Sequence, residues 1–182
     1  MIKSKKGKHK NIEIKAKCSN IGNIRDILIS NNADFRGVDH QIDTYFKVKD
    51  GRLKLREGNI ENYLIFYKRS NISGPKKSDV VLFKNDSDSS LKSILVNSID
   101  KLVVVDKKRE IYFINNIKFH LDKVKGLGTF LEIEAQNMGN KFNSYQLLKQ
   151  CEKYLELFGV NKEDLISGSY SDLLLKNKNN AK

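Results

Sequence analysis

Apolar residues recur along this chain with two periods, and the changes between them mark its elements. Ile12, Ile14 and Ala16 alternate with Glu13 and Lys15, the period of two that sets one face of a strand against a core. Ile21, Ile24, Ile27 and Leu28 then recur at helical spacing, with Ser19 or Asn20 suited to cap the start and Asn31 and Asn32 to end it. Strand-like runs follow at 42–48, 52–56 and 63–69, and Asp50-Gly51 is a turn signal between the first two. Residues 79–83 add a strand, and Leu91, Ile94 and Leu95 predict a second helix. Four more strands are expected at 102–105, 109–114, 118–122 and 129–135, with Asn115-Asn116 and Gly126-Leu127-Gly128 as turns. Leu147, Leu148, Cys151, Leu155 and Phe158 predict a longer helix that Gly159 is suited to stop. The order is α+β and mostly antiparallel.

Side chains two apart on a strand share a face, so these alternations define two surfaces. Glu13 and Lys15 stand opposite Ile12, Ile14 and Ala16. Arg52, Lys54 and Arg56 stand opposite Leu53 and Leu55; His120 and Asp122 opposite Phe119 and Leu121; Glu132 and Glu134 opposite Leu131, Ile133 and Ala135. A single strand of this kind is ordinarily half-exposed, with its charges in water. Four of them, with helices available to cover the apolar faces, imply that the ionic faces turn together. A sheet curled that way encloses charges that cannot form a dry core, because an unpaired buried ion costs several kcal/mol. Its interior is then a water-filled channel or a ligand site. Clustered Lys and Arg bind phosphate oxygens, and carboxylates bind Mg²⁺ or Mn²⁺, so the combination points to a polyphosphate bridged by metal.

Composition narrows the alternatives. The net charge of +12 raises the question of nucleic acid, but lysines in residues 1–10 and 176–182 account for eight of those charges. Both ends are rich in Lys and Asn and poor in apolar residues, and are expected to be basic disordered tails flanking a single domain at 11–175. Acids on the ionic faces would repel a nucleic-acid backbone, which disfavours that partner. Cys18 and Cys151 form no CxxC pair and are expected as reduced, buried thiols. With no membrane-spanning apolar run and no signal-peptide pattern, the expected location is the cytoplasm.

The segments NIEIKAK, QIDTYF, GRLKLRE, LIFYKR followed by GPKKSD, KKREIY, KFHLDKVKGLGTFLEIEA and GSYSDLLL together resemble the CYTH superfamily of triphosphate tunnel enzymes. They stand in the family's order over about 11–175 and are most similar to the CyaB-like branch, named from class IV adenylyl cyclase. The resemblance implies an antiparallel β-barrel tunnel with helices packed outside, and metal-dependent chemistry on a linear triphosphate. Its ExExK strand falls on Glu13 and Lys15, with Asn11 in place of the first acid. It implies triphosphate contacts from Lys15, Arg52, Lys54, Arg56, Arg69, Lys107 and Arg109. The implied metal ligands are Glu13, Asp122, Glu132 and Glu134, with catalytic roles for Glu13, Lys15 and Asp122 and Mg²⁺ or Mn²⁺ as cofactor. The expected activity is that of a CyaB-like adenylyl cyclase converting ATP to cyclic AMP and pyrophosphate. A triphosphatase acting on inorganic, thiamine or nucleoside triphosphate is the alternative, and a silent phosphate- or RNA-binding module the second; homodimerisation is left open. His120 is read as structural, His9 and His40 as surface residues, and Tyr170 and Asp172 as packing at one barrel end.

Overall fold

The computed structural model describes residues 11–69, 76–86, 88–137, 139 and 141–180, leaving aside the side chains of 69 and 76–79. The N-terminal segment read as a tail, His9 and Pro75 lie outside the described residues. Eight strands are described: β1 (Ile12–Lys17), β2 (Asp34–Phe46), β3 (Arg52–Glu57), β4 (Tyr63–Arg69), β5 (Lys76–Lys84), β6 (Lys101–Ile114), β7 (Ile117–Val124) and β8 (Gly128–Ala135). They form a closed antiparallel barrel in the order β1-β5-β4-β3-β2-β6-β7-β8. The first strand is the seam, pairing along its length with β8 and through Ile12 and Glu13 with β5.

Among the described residues four α-helices accompany the barrel: α1 (Ile21–Ser30), α2 (Leu91–Ser98), α3 (Ser144–Leu157) and α4 (Tyr170–Asn180). Asn20, one of the two expected caps, accepts a hydrogen bond from the Asn23 amide, and Asn143 forms a reciprocal capping box with Gln146 at the start of α3. The outward residues Ile12, Ile14, Phe119, Leu121, Leu131 and Ile133 meet Ile24 and Leu28 of α1 and Leu147 and Cys151 of α3. Phe119, Ile133 and Leu28 are fully buried there, each contributing about 1.5–3 kcal/mol by leaving water. The helix α2 covers Leu55 and Phe46 on the outside of β3 and β2.

Three elements differ from the sequence reading. The strand β2 begins at Asp34, eight residues early, because a bulge at Gly37, with φ of 118°, lets the chain keep pairing with β6 across a register shift. The strand β6 is continuous where two strands are expected; its polar middle, Asp106 to Lys108, pairs without interruption with Ile42 to His40. The helix α4 runs through 176–180, where the sequence reads a tail. Leu173, Leu174 and Leu175 pack its first turns against the barrel, and helix propagates easily from an anchored start.

Inside the barrel the inward residues divide by position. Nearest α4, Tyr45, Ile65, Tyr67, Val103, Val105, Val124 and Phe130 close around Tyr170 in an apolar plug. Beyond that plug the interior is ionic.

Candidate active site

A cavity of about 350 Å³ occupies the ionic part of the barrel. It is lined by six cations (Lys15, Lys54, Arg56, Lys107, Arg109 and Lys118), five carboxylates (Glu13, Asp43, Glu61, Glu132 and Glu134) and an apolar strip that includes Tyr63, Ile65, Val80 and Leu82.

The basic wall is built on β2, β3 and β6, and its centre is a residue that the sequence reading left unassigned. Asp43 is 1% exposed. It accepts from Lys54 Nζ at 2.7 Å, from Arg56 Nε at 2.8 Å and Nη2 at 3.0 Å, and from Lys107 Nζ at 2.8 Å. The register explains the convergence, since Asp43 stands opposite Arg56 on β3 and opposite Val105 on β6, two residues before Lys107. Burial alone would raise the Asp43 pKa, but Arg56, Lys107 and Lys54 together override it and hold the carboxyl well below its usual range. The same burial pulls Lys54 down to about 8, helped by the neighbouring Arg56 charge and opposed by Asp43. A period-two polar pattern at Asp39, Gln41 and Asp43 was the signal for this face of β2.

The acidic wall lies on β1 and β8. Glu13 stands directly opposite Glu134, and Lys15 opposite Glu132. Lys15 Nζ lies 3.6 Å from Glu132 Oε2 and 4.1 Å from the centre of the Tyr170 ring. Asn11, standing where the family pattern carries an acid, donates to Glu134 Oε1 at 2.6 Å. Burial first, opposed by Lys118 and reinforced by the charge of Glu132, raises the Glu134 pKa. His120 is 3% exposed and lines the cavity; burial and the nearby Arg109 and Lys118 charges hold it neutral.

Two of the expected site residues lie outside the cavity lining. Asp122, expected as a metal ligand, is fully buried and does not line the cavity. It accepts both Arg109 Nε and Nη2 at 2.6 Å and the Tyr170 hydroxyl at 2.7 Å. Those bonds direct the Arg109 guanidinium, whose Nη2 also reaches Glu132 Oε2 at 3.1 Å, so Asp122 supports an arginine. Tyr170, read as packing alone, thereby also supports the ionic site. Arg52 was expected beside Lys54 and Arg56 but lines a second cavity, at the α4 end, where Nη2 bonds Asp172 Oδ2 at 2.9 Å. The Arg69 side chain lies outside the described residues. Glu61 and Lys118, absent from the sequence assignment, join the cavity lining.

Among the described residues no three Asp, Glu, His or Cys side chains converge as a ready ligand set. The donors on the acidic wall still fit a hard cation. Glu13, Glu132 and Glu134 supply oxygens from the paired strands β1 and β8, and Mg²⁺ ordinarily completes its shell with water and substrate phosphate.

The class defined by this geometry is a closed antiparallel β-barrel with a mixed-charge interior cavity. Residues 9–170 match the CYTH domain, and the chain belongs to the CYTH family. It is similar, at 26% identity over 76% of this chain and 77% of the relative, to a Methanocaldococcus jannaschii protein named as a candidate adenylate cyclase. Two solved structures share the fold. A Pyrococcus horikoshii protein superposes with a TM-score of 0.71 at 23% identity, covering 90% of this chain and 98% of that one. A Hippeastrum protein, described as a candidate adenylyl cyclase with dominant triphosphatase activity, superposes with a TM-score of 0.61 at 12% identity, covering 94% and 96%. Among the described residues no helix is long and apolar enough to cross a membrane.

Proposed function

We propose that the chain is a metal-dependent enzyme acting on a nucleoside triphosphate, with adenylyl cyclase chemistry as its reaction. The observation that carries this reading is one cavity in which a basic wall faces an acidic wall, beside an apolar strip. Lys15, Lys54, Arg56, Lys107 and Arg109 would grip phosphate oxygens, Arg109 being held in orientation from behind by Asp122. Tyr63, Ile65, Val80 and Leu82 offer an apolar surface to the organic part of such a ligand. Glu13, Glu132 and Glu134 would hold Mg²⁺ or Mn²⁺, which supplies neutralisation of charge on the phosphates.

For cyclisation the cavity must orient the ribose 3′ oxygen in line with the α-phosphorus. A bond forms between them, the bond from the α-phosphorus to the bridging oxygen breaks, and pyrophosphate leaves with that electron pair and takes up the proton lost by the 3′ hydroxyl. The name of the Methanocaldococcus jannaschii relative favours this outcome. Hydrolysis is the second reading, favoured by the activity attached to the Hippeastrum structure. In that case the same cations hold the chain of phosphates, water attacks the terminal phosphorus and loses a proton to solvent, and the diphosphate leaves with the electron pair of the bridging bond.

Separating the products formed from labelled ATP with Mg²⁺ or Mn²⁺ tests both. Cyclic AMP with pyrophosphate is the expected result, ADP with phosphate supports the second reading, and unchanged ATP together with unchanged inorganic triphosphate overturns the enzyme reading.

A further inference from the structure

Four of the five carboxylates lining the cavity are carried by strands; Glu61 is carried by the loop between β3 and β4. That loop is fixed by its main chain. The fully buried Asp39 accepts from the Ile60 amide at 2.9 Å and the Glu61 amide at 3.0 Å, while Asn62 and Gly58 exchange two further bonds. A side chain at Gly58 would meet Asp39 oxygens at 2.7–2.8 Å, so the turn is tight against its anchor. The backbone is thus held without help from the Glu61 side chain, which reaches into the cavity.

There its carboxylate joins cations from strands that are not neighbours. Oε2 accepts from Arg56 Nη1 at 2.8 Å on β3 and from Gln41 Nε2 at 3.1 Å on β2, and Oε1 accepts from Lys118 Nζ at 2.7 Å on β7. Between β3 and β7 the barrel order interposes β2 and β6. An anion held by two oxygens between a guanidinium and an ammonium is chemically what a phosphoryl group would be in the same place. Asp43 differs because it is 2% exposed in its side chain and locked beneath three cations, whereas the Glu61 side chain is 19% exposed and can swing toward water.

We propose that Glu61 is a specificity-determining residue, an internal anion that fills one phosphoryl position of the ligand-free cavity and yields it only to a more highly charged ligand. The inference rests on the polyphosphate reading above. Exchange of Glu61 for a weakly charged oxyanion replaces one anion by a similar one and gains little. A triphosphate brings several charges at once and also engages Lys15 and Arg109, so it displaces Glu61 where orthophosphate does not. Burial would raise the Glu61 pKa, but Lys118 and Arg56 override it, so the carboxylate remains an anion throughout the neutral range.

The test is calorimetric binding of inorganic triphosphate and of orthophosphate, without metal, to the full chain. Glu61→Gln keeps the shape of the side chain and removes its charge, and Glu61→Ala removes the group while leaving the loop anchored through Asp39. Both variants should bind orthophosphate at least about tenfold more tightly than wild type, a change of about 1.4 kcal/mol. Their preference for triphosphate over orthophosphate should shrink, and adding Lys118→Met should cancel the gain. If wild type binds triphosphate and the folded variants bind orthophosphate no more tightly, the assignment of Glu61 falls alone. If none of the proteins binds triphosphate, the polyphosphate reading falls and takes the inference with it.

Discussion

Asp43 and Glu134 line opposite walls of one cavity, and their surroundings push them in opposite directions. Asp43 is surrounded by Lys54, Arg56 and Lys107 and is held far into its ionised form. Glu134 stands opposite Glu13 on the paired strand, and burial first, then the Glu132 charge, raise its pKa against the opposing Lys118 and the Asn11 hydrogen bond. The basic wall therefore carries one internal counter-anion among three cations, whereas on the acidic wall burial and like charge disfavour an ionised carboxylate that a cation from solution would stabilise. Cation clusters read from sequence suggest repulsion awaiting a ligand; here an internal carboxylate has already absorbed much of it.

The largest effect is expected at the centre of the basic wall. Asp43→Asn leaves three buried cations without their shared anion and should lower the unfolding free energy by about 3–5 kcal/mol, measured by denaturant unfolding. A loss under about 1 kcal/mol would mean that the basic wall does not depend on Asp43. Glu134→Gln should act in the other sense. The folded pKa of Glu134 lies above its unfolded one, so the ionised form weakens the fold as pH rises through the folded value. The variant should be as stable as wild type or more so at neutral pH, while metal-supported turnover falls about a hundredfold, an effect of about 2.7 kcal/mol. A destabilised variant with normal turnover would reverse the contrast between the walls.

The mildest expected effect is on pH dependence. Lys54 has a pKa of about 8 in the ligand-free protein, and a bound phosphate would raise it, so binding takes up a proton above that pH. Triphosphate affinity should then fall by up to about tenfold per pH unit as the pH climbs past 8. Lys107, on the same Asp43 carboxylate and also lowered by burial, acts in the same sense, so Lys54→Met should reduce that slope; an unchanged slope in Lys54→Met would assign the proton to Lys107.

Alternation along the strands told which face each residue occupies, and it carried the fold and much of the ionic lining. It carried no information on position along the barrel axis. Arg52, Lys54 and Arg56 share a face, yet the stagger of the strands puts Arg52 at the apolar end with Asp172 and the other two around Asp43. Asp122 is likewise on an inward face, but Arg109 comes between it and the cavity. Asp43 itself stood in the sequence as an acid within QIDTYF. A strand that starts at Ile42 leaves out the polar alternation through Asp39 and Gln41 that marks Asp43 as inward. Glu61 had no such signal, since a loop residue has no period to read.

The barrel seam has a consequence for the order of assembly. The acidic wall joins the first strand to the last, bringing together Asn11 and Glu134 from positions 123 residues apart. Contacts so distant form late, after most of the intervening chain has paid its ordering entropy. A nascent or partly refolded chain would hold the basic wall, whose widest span is the 64 residues from Asp43 to Lys107, while still lacking the acidic one. Competence to hold a dication would then arrive in a single closing event, and an ion seated there would act as a rivet across the seam, slowing the escape of β1 before any other strand.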